Sequence, residues 1–318
     1  MKNIRIATIG SPIDYHQSLL PIIAQSLGYQ VNWVTPKESD LLIVGPFADP
    51  NPKKLSWCPK PLRPAVKPLN QILTRAMGGR KNTPLKLFQS AENIRHDVHQ
   101  PDYSASFDLN IQSNKHFRLP YWMEMIDWSH EGIHGNQNPR YGSLLTIERL
   151  MQPLGNTFLQ RRRGAAFLSS HMREPRNTLF KAVNSVLPVS GFGPYFNKDI
   201  KSHHLSGIVK EVLLQDFAFN LCPENAMYPG YYTEKIPEAF FAKCLPITWA
   251  DENVKVDFNP NAFINLAPMS WCNFSPLKDI INSPHTLAQY ASQALLLQAP
   301  SILPFRDFVK RVLEDART

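Results

Sequence analysis

The chain has 318 residues, close to the length at which one hydrophobic core divides into two, so we expect two domains. Its apolar fraction of 43% and its mixed charges are those of a globular protein, and no uninterrupted apolar run approaches the length that spans a membrane. The net charge of +8 fits a ligand that carries phosphates, but it also fits a nucleic acid or an anionic membrane, so charge alone does not decide the function.

The start of the chain and its cysteines predict a cytoplasmic protein. Met1 leads almost directly into an apolar strand, without a charged and then apolar leader, so we expect the mature chain to begin there. Cys58, Cys222, Cys244 and Cys272 show no paired spacing of the metal-binding type. Three of them lie in or beside apolar segments, where a small buried thiol is the simplest interpretation.

The first half predicts an open α/β sheet. Its elements in chain order are a strand over Ile4–Ile9, a helix over Tyr15–Leu27, strands over Gln30–Val34 and Leu41–Val44, a proline-punctuated loop over Pro46–Pro68 and a strand over Leu85–Gln89. Glu92 and Asn93 follow the last strand at its carboxyl end. Ligands of α/β sheets bind at that edge.

The segment from His130 to His134 matches the HExxH pattern of zinc proteases. That pattern binds zinc only on a helix, where both histidines share a face. Gly132, Gly135 and Pro139 all disfavour a helix here. We therefore predict an irregular polar loop instead of a zinc site.

The second half predicts another α/β unit, which begins near Gln160. Its elements are a preceding helix over Gly142–Met151, a strand over Ala165–Ser169, a helix over Thr178–Val186 with Pro175 in its first turn, a helix over Lys201–Leu214, one or two helices within Leu277–Gln298 and an amphipathic terminal helix over Phe305–Ala316. We interpret Arg161-Arg162-Arg163 as a solvated linker, not as a phosphate or membrane contact. We expect the terminal helix to pack across the two domains, with a membrane role as the alternative.

The centre of the second half is a strand, loop, helix and strand whose polar residues gather on one edge. The strand over Phe217–Cys222 ends at Glu224-Asn225, and a loop with Tyr231 follows. Thr233-Glu234-Lys235 then opens a helix, and Leu245–Trp249 forms the next strand. This order brings charged side chains to the carboxyl edge of the predicted sheet.

These motifs resemble those of the α1,3-fucosyltransferases, glycosyltransferase family ten. The corresponding residues, in the order of the family, are Glu92-Asn93, Asp102-Tyr103 with Phe107-Asp108, Arg118-Leu119-Pro120-Tyr121, Arg176-Asn177, Ser190-Gly191-Phe192-Gly193, Phe219-Asn220-Leu221 with Glu224-Asn225, Tyr231 with Thr233-Glu234-Lys235, and Asp257-Phe258-Asn259-Pro260. Both order and spacing agree from about Phe88 to Pro268.

The resemblance implies an α/β fold of GT-B architecture, with two Rossmann-like domains that face each other across a cleft. Residues 1–160 would form the acceptor-binding domain and residues 161–318 the domain that binds GDP-fucose. The implied reaction is inverting transfer of L-fucose to a hydroxyl of a β-galactoside-type glycan, typically O3 of N-acetylglucosamine or glucose. The alternatives are a transferase for another nucleotide sugar and a noncatalytic relative that binds glycans or nucleic acid.

The resemblance also implies roles for single residues. Glu92 would be the general base, because it lies on the acceptor domain. The donor-binding residues would be Arg176 and Lys235 on the diphosphate, Tyr231 as a hydroxyl donor, Glu234 on the ribose, Glu224 on the fucose, and Asn225 beside them. We expect GDP-fucose and an oligosaccharide as the ligands, no nucleic acid, at most peripheral membrane association, and no required metal, although divalent ions could stimulate transfer.

Overall fold

The computed structural model describes residues 2–11, 15–16, 18–48, 83–136, 141–198, 210–269 and 273–318. Several sequence-based expectations lie outside these residues: most of the loop over Pro46–Pro68, residues 201–209 of one predicted helix, residues 137–140, and the thiols Cys58 and Cys272. The described residues form two compact α/β units, each built on one parallel sheet. The predicted fold class is confirmed.

The first unit comprises Met1–Ser106, Ile111–Arg118 and Leu303–Thr318. Its sheet has the strand order β2-β1-β3-β4-β5-β6, and all of its strand pairs are parallel. The strands are β1 (Lys2–Ile9), β2 (Tyr29–Trp33), β3 (Leu41–Val44), β4 (Leu85–Gln89), β5 (Tyr103–Ser106) and β6 (His116–Arg118). Every residue of β3 is buried, which is the pattern of a central parallel strand covered on both faces.

Among the described residues of the first unit, two segments are helical: α1 (Leu19–Ser26) and the terminal helix α8 (Leu303–Ala316). The sequence predicted that α1 begins at Tyr15, four residues before its observed start. The helix begins at Leu19 because Pro21 fits only the first helical turn, where no N–H is needed. In α8, Phe308 packs on the rings of Tyr103 and Phe117, with centroids 5.9 and 5.6 Å apart.

The second unit comprises Phe107–Asn110 and Leu119–Ile302. Its sheet has the strand order β11-β10-β9-β7-β8. The strands are β7 (Arg162–Leu168), β8 (Val189–Phe192), β9 (Phe217–Leu221), β10 (Leu245–Thr248) and β11 (Ile264–Asn265). The helices are α2 (Ile147–Leu150), α3 (Arg176–Asn184), α4 (Lys210–Leu214), α5 (Lys235–Phe241), α6 (Ser275–Asn282) and α7 (Pro284–Ala291).

The contacts group residues 119–160 with the second unit, whereas the sequence placed the domain boundary near Gln160. Phe158 packs edge-on against Phe219 of β9, with ring centroids 6.2 Å apart. The guanidinium of Arg149 lies 5.3 Å from the ring of Phe240 in α5. These aromatic contacts join the segment before β7 to the core of the second sheet.

Arg161-Arg162-Arg163 is not a solvated linker, so that interpretation is wrong. Nη1 of Arg161 donates to the carbonyl oxygens of Ala242 and Lys243 at 2.8 and 3.2 Å, where α5 ends. Arg162 begins β7, and Nη2 of Arg163 donates to the carbonyl of Ile281 at 3.0 Å. Two arginines therefore satisfy carbonyls that helix ends leave without intrahelical partners.

None of the helices over the described residues is both long and apolar enough to span a membrane.

Candidate functional site

Two neighbouring strands of the second sheet end beside the predicted donor residues. Strands β7 and β9 pair in parallel, so the segments that follow Leu168 and Leu221 leave the sheet at the same edge. Arg176 follows the first of these ends, and Glu224-Asn225 follows the second. The chain order therefore brings a cation, a carboxylate and an amide to one edge of the sheet.

Arg176 is held at the start of α3 by side chains from both loops. It is 8% exposed, and its Nη1 donates to Oγ of Ser169 at 2.9 Å and lies 3.3 Å from Nε2 of His171. Its Nη2 donates to Oδ1 of Asn225, whose Nδ2 donates to the hydroxyl of Tyr231 at 3.4 Å. Three predicted donor residues thus form one hydrogen-bonded chain.

The glycine-rich turn predicted at Ser190–Gly193 shapes the backbone next to Ser169. Gly193 has φ +96°, and a Cβ built there would lie 2.8 Å from the carbonyl oxygen of Ser169. Any larger residue would be strained and would push against that carbonyl. The turn lets the chain pass close to Ser169, which in turn contacts Arg176.

Glu224 is a buried carboxylate, 1% exposed, whose oxygens accept hydrogen bonds from the start of α5. Oε1 accepts from the backbone N–H of Thr233 at 2.8 Å, and Oε2 accepts from the Thr233 hydroxyl at 2.8 Å. Nζ of Lys235 lies 3.1 Å from the same Oε2 and 2.6 Å from Oγ1 of Thr233. The predicted residues Glu224 and Lys235 are therefore an ion pair bridged by a hydroxyl.

The surroundings of Lys235 keep its ammonium charged. Burial lowers the pKa of Lys235, but the negative charges of Glu224 and Glu234 outweigh it, so the net pKa lies above the ordinary value. The side chain of Lys235 is 18% exposed. A partly exposed, permanent cation at the start of a helix suits an anionic ligand.

His171 is neutral beside Arg176. Burial lowers the pKa of His171, and the positive charges of Arg176 and Arg173 lower it further. The imidazole Nδ1 also accepts from the backbone N–H of Arg173 at 3.3 Å. A neutral ring at this position avoids repulsion with the Arg176 guanidinium.

Tyr231 and Glu234 are both buried, at 2% and 6% exposure. The ring of Tyr231 packs edge-on against Phe107, with centroids 5.0 Å apart. Glu234 lies directly before α5, where a carboxylate is favourable next to the helix N-terminus. The positive φ of Gly230 shapes this loop, because a Cβ there would lie 2.2 Å from the carbonyl oxygen of Phe107.

Glu92 lies in the first unit, just beyond the carboxyl end of β4, where the sequence placed it. Its backbone is fixed by Ser90, whose hydroxyl donates to the Glu92 carbonyl at 2.7 Å and accepts from the Glu92 N–H at 3.0 Å. The residue is partly exposed.

Two other motifs have structural roles in the second unit. Asp257 accepts from Nε1 of Trp122 at 3.2 Å, and Asn259 caps a short 3₁₀ turn through the N–H of Asn261.

In the HExxH segment only Ser129–Glu131 forms a 3₁₀ turn, and Gly132 has φ +79°. The predicted irregular loop is confirmed.

Metal-type side chains do not cluster in the described part of the chain: no three His, Cys, Asp or Glu side chains there are arranged to hold an ion. The carboxylate of Glu131 instead accepts the backbone N–H of Ile302 at 2.7 Å.

Sequence reasoning missed Ser169, His171 and Thr233 as members of this site. Thr233 stands inside the Tyr231 to Lys235 motif, and Ser169 and His171 stand between β7 and Arg176. Their position in or beside these motifs was therefore the sequence signal that could have identified them. The hydrogen-bond partners of a hydroxyl or an imidazole depend on tertiary contacts that spacing does not reveal.

Two parallel α/β units, with a polar and cationic strand-end site in the second, define the GT-B class of fold. Residues 158–289 match the model of the C-terminal domain of glycosyltransferase family 10, the fucosyltransferases. Over these residues the comparison confirms the resemblance read from the motifs.

Individual relatives agree with this placement. The chain is 29% identical over 220 residues to alpha-(1,3)-fucosyltransferase FucT of Helicobacter pylori, a match that covers 63% of this chain and 44% of the relative. The chain thus spans less than half of that relative's length. Crystal structures of an α1,3-fucosyltransferase with GDP-fucose and with GDP share the fold, at TM-scores of 0.66 and 0.65 and 21% and 22% identity. They cover 99% and 98% of this chain and 91% of each solved chain.

Proposed function

We propose that the protein transfers L-fucose from GDP-fucose to a sugar hydroxyl of a glycan. The observation that carries this proposal is the pair of cations, Arg176 and Lys235, at one edge of the second sheet within the family 10 segment. The similar Helicobacter pylori protein is an α-(1,3)-fucosyltransferase, and one solved structure of the same fold was determined with GDP-fucose. The first relative supports fucose transfer, and the second supports GDP-fucose as the donor.

The departing GDP needs positive charge on its diphosphate. Arg176 would supply a planar fork of N–H donors, oriented in advance by Ser169 and Asn225. Lys235 would supply a second cation at the start of α5. Charges that are in place before the reaction stabilise a leaving group without having to reorganise during bond breaking.

The other donor contacts follow from hydrogen-bonding chemistry. The Tyr231 hydroxyl is suited to donate to a phosphate oxygen. The Glu234 carboxylate is suited to accept from the ribose hydroxyls. Asn225 would support both, because its amide joins Arg176 to Tyr231.

We assign the general base to Glu92 and an inverting, single-displacement course to the reaction. The Glu92 carboxylate would take the proton of the acceptor hydroxyl as that oxygen bonds to C1 of fucose, while the bond from C1 to the GDP oxygen breaks and its electron pair leaves with GDP. One base is sufficient for inversion in one step. The partly exposed position of Glu92, just beyond the end of β4, supports this assignment.

The acceptor class is the finer part of the proposal. We propose O3 of N-acetylglucosamine or glucose within a β-galactoside, the acceptor that the family motifs imply. Loops such as residues 111–115 in the first unit would tune this choice, since binding specificity is usually carried by loops on a rigid scaffold.

Two experiments test the proposal in sequence. Thermal shifts with GDP-fucose, GDP-mannose and UDP-galactose should show the largest stabilisation by GDP-fucose, because binding to the native state alone raises stability. A glycan array with labelled GDP-fucose should then label β-galactosides. Stabilisation by UDP-galactose alone would indicate another donor, and GDP-fucose binding without labelling of any glycan would indicate a noncatalytic relative.

A further inference from the structure

A hydroxyl group lies between the two charges of the site's buried ion pair. We infer that Thr233 is a positioning residue, which couples the carboxylate of Glu224 to the ammonium of Lys235 and so aims that cation at the donor diphosphate. This inference rests on the proposed function, because it concerns how the donor is held. It concerns a residue with no assigned part in the chemistry.

The contacts give Thr233 a direction as well as a place. Its hydroxyl has one proton, and the shorter of its two contacts with Glu224 is the 2.8 Å contact to Oε2, against 3.2 Å to Oε1. The oxygen of that hydroxyl accepts from Nζ of Lys235 at 2.6 Å. The hydroxyl therefore donates to the carboxylate and accepts from the ammonium at the same time.

The same contacts orient the lysine. An ammonium has three N–H donors, and Glu224 and Thr233 take two of them. Two fixed partners define the direction of the third donor, in a side chain that is 18% exposed. Lysine side chains lose rotamer entropy when they are fixed, so a lysine held in advance binds an anion better than a mobile one.

Glu224 belongs to this arrangement more than to a sugar-binding surface. Its side chain is 1% exposed. Oε1 already accepts the backbone N–H of Thr233, and Oε2 already accepts from both the Thr233 hydroxyl and Lys235. The sequence suggested that Glu224 contacts fucose, but a side chain that is 1% exposed offers little surface to a sugar.

A matched pair of variants isolates the hydroxyl. Thr233→Val keeps the shape and removes the hydroxyl, whereas Thr233→Ser keeps the hydroxyl and removes a methyl group. We expect Thr233→Val to weaken the binding of GDP about tenfold, the factor that corresponds to the loss of one hydrogen bond to a charged group. We expect Thr233→Ser to bind GDP within about threefold of the parent. Isothermal titration with GDP measures both.

A double-mutant cycle separates positioning from a general loss of structure. In a Lys235→Ala background the hydroxyl has no ammonium to orient, so Thr233→Val should have little further effect on GDP affinity. Thr233→Val overturns the inference if it binds GDP like the parent, or if it weakens GDP binding equally with and without Lys235.

Glu224→Gln provides a second measurement should Thr233→Val fail to fold. If Glu224 acts through Lys235, the affinities for GDP and GDP-fucose change by the same factor. A change confined to GDP-fucose would assign Glu224 to the sugar and overturn the inference. Failure of the proposed function has a different signature: the parent protein then either binds neither GDP nor GDP-fucose, or binds GDP-fucose without labelling any glycan.

Discussion

Glu92 is the residue whose replacement should separate catalysis from donor binding. Glu92→Gln keeps the shape of the side chain and removes the basic oxygen, so turnover should fall by about 10²–10⁴-fold, the usual contribution of positioned proton transfer. The affinity for GDP-fucose should stay close to that of the parent, since the proposed donor ligands belong to the second unit. Initial rates and isothermal titration measure the two effects.

The control for this change is Glu148→Gln, which alters an exposed glutamate on the short helix α2. It should leave both turnover and affinity unchanged. If Glu92→Gln retained turnover within a few fold of the parent, another carboxylate would have to be the base.

Arg176 and Lys235 should matter most for the diphosphate. Arg176→Ala and Lys235→Ala should each weaken GDP binding by roughly 1.5–3 kcal/mol, the contribution of a hydrogen bond to a charged group. Transfer should slow further than binding weakens, because negative charge grows on the leaving group. Lys278→Ala, an exposed lysine of α6, is the control. Two variants that bound GDP like the parent would place the diphosphate elsewhere.

The sequence predicted which residues gather at the site but not the hydrogen bonds that they form there. The resemblance predicted Arg176 and Asn225 as donor-binding residues, and the parallel pairing of β7 and β9 brings the loops that carry them together. The bridging role of Thr233 could not be predicted, since it depends on where a loop side chain points. Neither could the contacts of Arg161 with carbonyls beyond α5.

The elements of the second unit are joined by a buried ion pair between helices. Lys210 of α4 donates to Glu238 of α5 at 2.5 Å, and the side chains are 16% and 3% exposed. Lys210→Ala should lower the free energy of unfolding by about 3 kcal/mol, because it removes a cation that offsets the cost of burying the Glu238 carboxylate. Urea denaturation measures this loss.

A compensating double variant tests the physical cause of that loss. Lys210→Met with Glu238→Met should recover most of the lost stability, since apolar residues of similar volume often replace a buried ion pair without cost. Lys278→Ala should change stability by less than about 0.5 kcal/mol. If the double variant recovered none of the lost stability, the pair would act through its geometry and not through its charge.

The bounds of two central strands could be predicted from the sequence. The predicted strands Leu41–Val44 and Leu85–Gln89 have the observed bounds, because apolar runs flanked by polar residues mark central strands. Strands β6 and β11 were missed, at three and two residues. Such short strands form through pairing with a neighbour and carry little periodicity of their own. A helix was predicted over Gly142–Met151, but the observed helix covers only Ile147–Leu150. Gly142 has φ +130°, which is not a helical backbone angle.

At the scale of the whole molecule, the proposed chemistry needs no metal ion. Arg176 and Lys235 can neutralise the departing GDP, and no Asp-x-Asp sequence occurs near the signature residues. Transfer should therefore persist in EDTA at a rate close to that of the untreated protein, although added divalent ions could increase it. Activity that EDTA abolishes and only a metal restores would contradict this prediction.

The division of the molecule into two sheets could be predicted because each half repeats the alternation of strands and helices. We expected the terminal helix to pack across the two domains. The residues that it contacts could not be predicted, since an amphipathic pattern does not specify the surface on which it packs. Phe305 and Phe308 reach the aromatic ring of Phe117 through a contact between residues nearly 190 positions apart in the chain.

The most direct test of the account is transfer of labelled sugar from three donors to one β-galactoside acceptor. GDP-fucose, GDP-mannose and UDP-galactose would be compared at equal concentrations, with Glu92→Gln as the inactive reference. We expect labelled product from GDP-fucose, little from the other two donors, and a loss of about 10²–10⁴-fold in the variant. Product formed from UDP-galactose in place of GDP-fucose, or no product from any donor across a range of acceptors, would contradict it.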